Sequence, residues 1–160
     1  MVSEATPGIV YRTDTRVDET PSEALVLMCS DPRFQAAFHE FLSEHLGLQR
    51  WDPIVAPGGA YILSFAEVLP KQLKVGMRML KFAMQASAPA RIILINHEGC
   101  RRYLAAFQSH LRRFGFSLPD KQRRDLESVA ADLRDAFPKT AVEAYFAARG
   151  PDGTVEFERL

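Results

Sequence analysis

Two short apolar runs constrain this chain more than anything else in it: Ala24-Leu25-Val26-Leu27-Met28 and Arg91-Ile92-Ile93-Leu94-Ile95. Runs of this length without polar alternation predict strands buried on both faces, as in a mostly parallel sheet covered by helices. Each run ends on residues rich in chemistry. Cys29-Ser30-Asp31-Pro32-Arg33 follows the first and His97-Glu98-Gly99-Cys100 the second, and together they hold both cysteines of the chain.

The rest of the pattern fits the same architecture. Asp31-Pro32 reads as a helix start, with Asp31 as N-cap and Pro32 at the first helical position. Phe34, Phe38, Phe41, Leu42 and His45 then recur at helical spacing until Gly47. Trp51 to Ala56 is a further strand, closed by Pro57-Gly58-Gly59. Tyr61 to Leu69 and Pro70 to Ala86 read as two helical pieces divided at Pro70. Leu73, Met77, Leu80 and Met84 form a core-facing stripe in the second. Two more helices follow the 91–96 strand. The first, 100–114, carries Tyr103, Leu104, Phe107, Leu111 and Phe114 on one face; the second, 120–136, carries Leu126, Val129, Ala130 and Leu133. Thr140 to Ala148, the turn Gly150-Pro151-Asp152-Gly153 and Thr154 to Glu158 read as an antiparallel hairpin. The expected fold is α/β: a mostly parallel sheet of about five strands, flanked by helices and closed by a C-terminal hairpin. Residues 1–21 read as an N-terminal arm and 22–160 as one domain.

Composition narrows the partners. The 160 residues carry 20 basic and 20 acidic side chains, so no net field favours nucleic acid or a membrane surface. The cluster Arg101, Arg102, Arg112, Arg113 reads as a solvated helix face. No stretch is apolar for long enough to span a bilayer, and the N-terminus lacks the pattern of a secretory signal. The expected location is the cytoplasm, where two cysteines serve as metal ligands or reactive thiols rather than a structural disulfide.

In parallel α/β sheets, sites lie at the carboxyl ends of the strands, where Cys29, Gly58, Gly59, His97 and Cys100 all fall. Two thiolates and an imidazole suit zinc and leave a tetrahedral ion one position short, as in catalytic rather than structural sites. The blander alternative is a pair of buried core cysteines and a hydrogen-bonded histidine. Asp31 has two open roles: it reaches the fourth metal position, or it pairs with Arg33 in a bidentate fork. Gly58 and Gly59 suggest a close backbone approach at the site, or simply a strand-to-helix turn. Glu98 is either a partner behind the ligands or an exposed residue at a helix start. His39, His45 and His110 lack ligand spacing and read as helix-face residues.

These residues resemble the β-class carbonic anhydrases, which carry Cys-x-Asp-x-Arg, a glycine-rich turn and His-x-x-Cys in this order. Here those are Cys29, Asp31 and Arg33, then Gly58 and Gly59, then His97 and Cys100. The hairpin from Ala141 to Phe157 resembles the family's last two strands. The resemblance implies Zn2+ held by Cys29, His97 and Cys100, and interconversion of carbon dioxide and bicarbonate by zinc-bound hydroxide. Asp31 and Arg33 would form the family's catalytic dyad, Gly58 and Gly59 would border the substrate, and the chain would form a homodimer or higher homo-oligomer. The chain departs from the family pattern at Asn96 and Arg101, where glycines are usual, and at Val55, Ala56 and Pro57, where Arg-Asn-Ala is usual. A divergent relative acting on another small substrate, or a binding module without turnover, is the alternative. A flavodoxin-like redox domain is disfavoured, because no Gly-x-Gly-x-x-Gly turn follows the first strand.

Overall fold

The computed structural model describes residues 8–64, 70–115 and 117–160, with the backbone alone at 70–74, 108–112 and 114. Five strands form one sheet: β1 (Ala24–Cys29), β2 (Trp51–Ala56), β3 (Arg91–His97), β4 (Ala141–Arg149) and β5 (Val155–Arg159). Their order is β2-β1-β3-β4-β5, and every pair is parallel except β4 with β5. The α/β fold expected from the sequence, including its closing hairpin, is the one observed.

Alternation along the buried strands divides the core in two. Val26 and Met28 of β1, Ile93 and Ile95 of β3, and Tyr145 of β4 share one face. Helices α1 (Gln35–Glu40) and α3 (Arg101–Phe114) cover it with Phe34, Phe38, Tyr103 and Phe107. Leu25, Leu27, Ile92, Leu94 and Ala144 point the other way. There they meet α2 (Pro70–Ser87) through Leu80, Met77 and Met84, and α4 (Leu118–Ala136) through Leu126, Val129, Ala130 and Leu133. Two-sided burial is why β1 and β3 read as unbroken apolar runs. Pro53 is tolerated in β2 because that strand lies at the sheet edge, where a missing N–H costs no ladder bond.

Three local expectations are corrected. The helix after β1 begins at Gln35, not at Pro32. The Asp31 carboxylate accepts from Arg33 instead of capping helical N–H groups, and Asp31-Pro32 makes a turn closed by Phe34 N–H to the Asp31 carbonyl. The helix then runs into a π-helical turn over Phe41–His45. After Gly58 the chain forms a 3-10 turn over Gly59–Leu63 rather than a helix from Tyr61; 65–69 of that expected piece lie outside the described residues. Leu104 is 42% exposed and leaves the buried face of α3, which Tyr103 and Phe107 supply. Met1 to Pro7 of the expected arm lie outside the described residues, as do the side chains of Leu73, His110, Leu111, Arg112 and Phe114. Residues 8–21 are exposed and form no strand or helix, and Asp18 pairs with Arg50.

Candidate metal centre

Strand order brings the two motifs together. β1 and β3 are neighbours, with Met28 opposite Ile95, so their carboxyl ends deliver Cys29 and His97 side by side. Cys100 follows one tight turn later, with Gly99 at φ +63°. It sits immediately before α3, and its carbonyl accepts from Leu104 N–H. The backbone N–H of Gly58 donates to Cys29 Sγ over 3.3 Å.

Cys29, His97 and Cys100 are all buried, and their donor atoms lie within 4.8 Å of one another. Cys29 Sγ and Cys100 Sγ are 3.8 Å apart. Two thiolates on a tetrahedral zinc, each about 2.3 Å from the ion, would stand about 3.8 Å apart. His97 is fully buried between Phe34 and Phe38, with ring centroids 4.2 and 6.1 Å away. Its Nδ1 is 2.8 Å from the Glu98 carbonyl, while its Nε2 has no hydrogen-bond partner among the described residues. A buried ring nitrogen left open costs free energy unless something takes it, and a metal is what the two sulfurs beside it would share. The residues therefore fit the ion. Without metal, the Cys29–Cys100 hydrogen bond holds the Cys100 thiol well below the usual thiol range and, with burial, pushes the Cys29 thiol up.

Asp31 stands beside this cluster rather than in it. Arg33 grips it in a fork, Nε to Oδ1 at 2.9 Å and Nη2 to Oδ2 at 2.6 Å, and Arg33 N–H adds a third bond at 3.1 Å. The guanidinium also donates to the Gly99 carbonyl, tying β1's end to the turn between His97 and Cys100. The fork holds the Asp31 carboxyl well below the usual carboxylate range. Asp31 Oδ2 is 3.9 Å from His97 Nε2, so it faces the donor cluster.

The glycine turn has two separate duties. Gly58, at φ +89°, borders a cleft of about 200 Å3 together with Cys29, Asp31 and Cys100. Gly59, at φ +56°, is wedged under the turn: a Cβ there would lie 2.6 Å from Asn96 Oδ1 and 2.9 Å from the Ile95 carbonyl. We expect Gly59→Ala to cost about 2–4 kcal/mol, positive φ plus steric conflict, in urea denaturation. Gly99→Ala shares the positive φ but meets nothing within 4 Å. It should cost only about 1 kcal/mol, and equal losses at the two sites would refute the conflict.

Several residues that hold the site were missed from sequence. Asn96 accepts from Ala60 N–H and donates to the Tyr103 hydroxyl, pinning the glycine turn to β3 and α3. Gln122, fully buried on α4, donates to the His97 carbonyl over 2.8 Å. Gln35 donates to the Cys29 carbonyl. Asn96 is a polar residue at the end of an apolar strand run, which is a signal; Gln122, set among Lys121, Arg123 and Arg124, carries none. Glu98 is half-buried and accepts from Arg149 N–H, fastening the motif to β4. His39 and His45 are exposed helix-face residues, as expected.

No protein-family sequence model matches the chain, and no curated protein matches it by sequence. Solved structures do match. A carbonic anhydrase from Streptococcus mutans superposes with a TM-score of 0.55 at 14% identity, over 91% of this chain and 87% of that one. A carbonic anhydrase from Glaciozyma antarctica gives 0.51 at 16%, over 82% and 79%. A tetrameric β-carbonic anhydrase from Sordaria macrospora gives 0.50 at 14%, over 86% and 80%. The chain has the β-carbonic anhydrase fold. Identities this low make the likeness one of fold, and the β-carbonic anhydrase fold here carries its own cluster of two cysteines and a histidine. Among the described residues, no helix is long and apolar enough to cross a membrane.

Proposed function

We propose that the chain is a zinc enzyme that hydrates carbon dioxide to bicarbonate. The observation that carries this reading is the buried Cys29–His97–Cys100 cluster, with its open His97 Nε2, beside the Arg33-held Asp31 carboxylate. Bound there, zinc would supply Lewis acidity that makes a water nucleophilic near neutral pH.

The chain's own residues do the rest. Gln122 and the Glu98 carbonyl fix the His97 backbone and ring, so that Nε2 faces the two sulfurs. Asp31, kept ionised by Arg33, would accept a hydrogen bond from the attacking water at Oδ2 and so orient its oxygen toward the cleft. The cleft, about 200 Å3, is ample for carbon dioxide, and Gly58 adds no side chain to its wall. In this reading 22–160 is one catalytic domain, residues 1–21 are its arm, and the enzyme is a cytoplasmic homodimer or higher homo-oligomer.

Metal analysis should find about one zinc per chain, and stopped-flow assays should find hydration above the buffer rate. A second reading, metal binding without turnover, rests on Val55, Ala56 and Pro57, which offer the cleft no polar side chain. Full zinc with no hydration would establish that second reading and remove the first.

A further inference from the structure

Arg101 and Arg102 read as part of a solvated helix face, and the structure gives them another setting. Both line the cleft that holds Cys29, Asp31 and Cys100. Arg102 is built into its wall. Its Cγ lies 3.1 Å from where a Gly58 Cβ would stand, and its guanidinium carbon sits 4.6 Å from the Tyr61 ring centroid. Gly58 therefore makes room for the arginine stem, and Tyr61 holds the planar head by a cation–π contact. Arg101 is exposed at the first turn of α3, on the rim.

The charge balance of the cleft is lopsided. Its carboxylate is Asp31, and both of that group's oxygens are taken by Arg33. Neither Arg101 nor Arg102 pairs with a carboxylate among the described residues. Two arginines thus line a small cleft with no carboxylate partner of their own, and cationic side chains at a concave mouth draw an anion in. A planar guanidinium matches the O–C–O fork of a carboxylate or bicarbonate with two parallel hydrogen bonds.

We propose that Arg101 and Arg102 form an anion-binding mouth that selects a small planar monoanion of the carboxylate or bicarbonate type. The proposal rests on the hydratase reading for its place in a reaction, and it names which side of that reaction the mouth holds. Carbon dioxide is neutral and gains nothing from the arginines, whereas bicarbonate is held by them.

The test uses zinc-loaded protein at fixed ionic strength. Formate, a planar monoanion, is titrated calorimetrically into wild type, Arg101→Gln, Arg102→Gln and the control Arg124→Gln, an exposed arginine on α4. Each cleft variant should weaken formate binding about tenfold or more, the loss of a charge-assisted hydrogen bond, and the control should not. In turnover, the KM for bicarbonate should rise by a similar factor in the cleft variants while the KM for carbon dioxide stays put. Parallel titrations with bicarbonate and acetate assign the natural anion to whichever binds tighter by way of the arginines. Formate binding that is equal in all four proteins overturns the proposal. Arginine-dependent formate binding in a protein that turns over neither substrate upholds it and removes the hydratase reading instead.

Discussion

Cys100→Ser protein should emerge folded and without zinc. Serine keeps the shape of a residue only 2% exposed, and its hydroxyl can cap the start of α3. What it cannot do is ionise near neutral pH and give the ion a thiolate. Losing an outer partner of a metal ligand typically costs 10–100-fold in affinity, so losing a ligand should cost more than about 100-fold. The effect reaches stability. A bound ion at about 1,000 times its Kd adds about 4 kcal/mol to the folded state, which for a chain of this size is about 8–16 °C in Tm. A chelator should therefore lower the wild-type Tm by that order and leave the Cys100→Ser Tm nearly unmoved. Zinc content by elemental analysis, with melts run with and without chelator, reads both effects. A variant that keeps full zinc would sink the ligand assignment. Cys29→Ser should behave alike, while His97→Ala is a poorer probe, because it also opens a hole between Phe34 and Phe38.

Such a site was legible from sequence because its parts ride on the strongest local signals in the chain. Runs such as 24–28 and 91–95 must be buried on both faces, and a parallel sheet puts their ends at one edge. Ligand types and strand ends then coincide without reference to any long-range contact. What stayed hidden depends on pairings that local patterns do not encode. Asp31-Pro32 looks the same whether the carboxylate caps a helix or grips Arg33, and only the fold's placement of Arg33 near Gly99 favours the fork. Gln122 lies in α4, a whole element away from His97, and its bond exists because α4 packs across the end of β3. Arg102 looks like any helix-surface arginine until Gly58 and Tyr61 of a distant turn come up beneath it.

The second large effect separates metal binding from turnover. Asp31→Asn should retain zinc and lose about 10²–10⁴-fold in hydration rate, the usual contribution of a positioned acid–base group. Retention follows because the donor cluster is Cys29, His97 and Cys100, with Asp31 held beside it by Arg33. Loss of rate follows because a neutral amide accepts the water's hydrogen bond more weakly than a carboxylate, and its NH2 would face the Arg33 guanidinium. The pH behaviour has a definite sign. Arg33 depresses the Asp31 pKa, so the ion pair's contribution to stability is complete above the ordinary carboxylate value, about 3.9. It fades only as pH falls through the lower folded value. Arg33→Met removes the cause of that depression and leaves a buried carboxyl without its partner, so the Asp31 pKa rises. The acid limb of kcat/KM should therefore move to higher pH in Arg33→Met, toward or beyond the ordinary carboxylate range, while wild type shows no limb from Asp31 there. Full activity in Asp31→Asn would end the dyad assignment, and loss of zinc from that variant would make Asp31 a ligand.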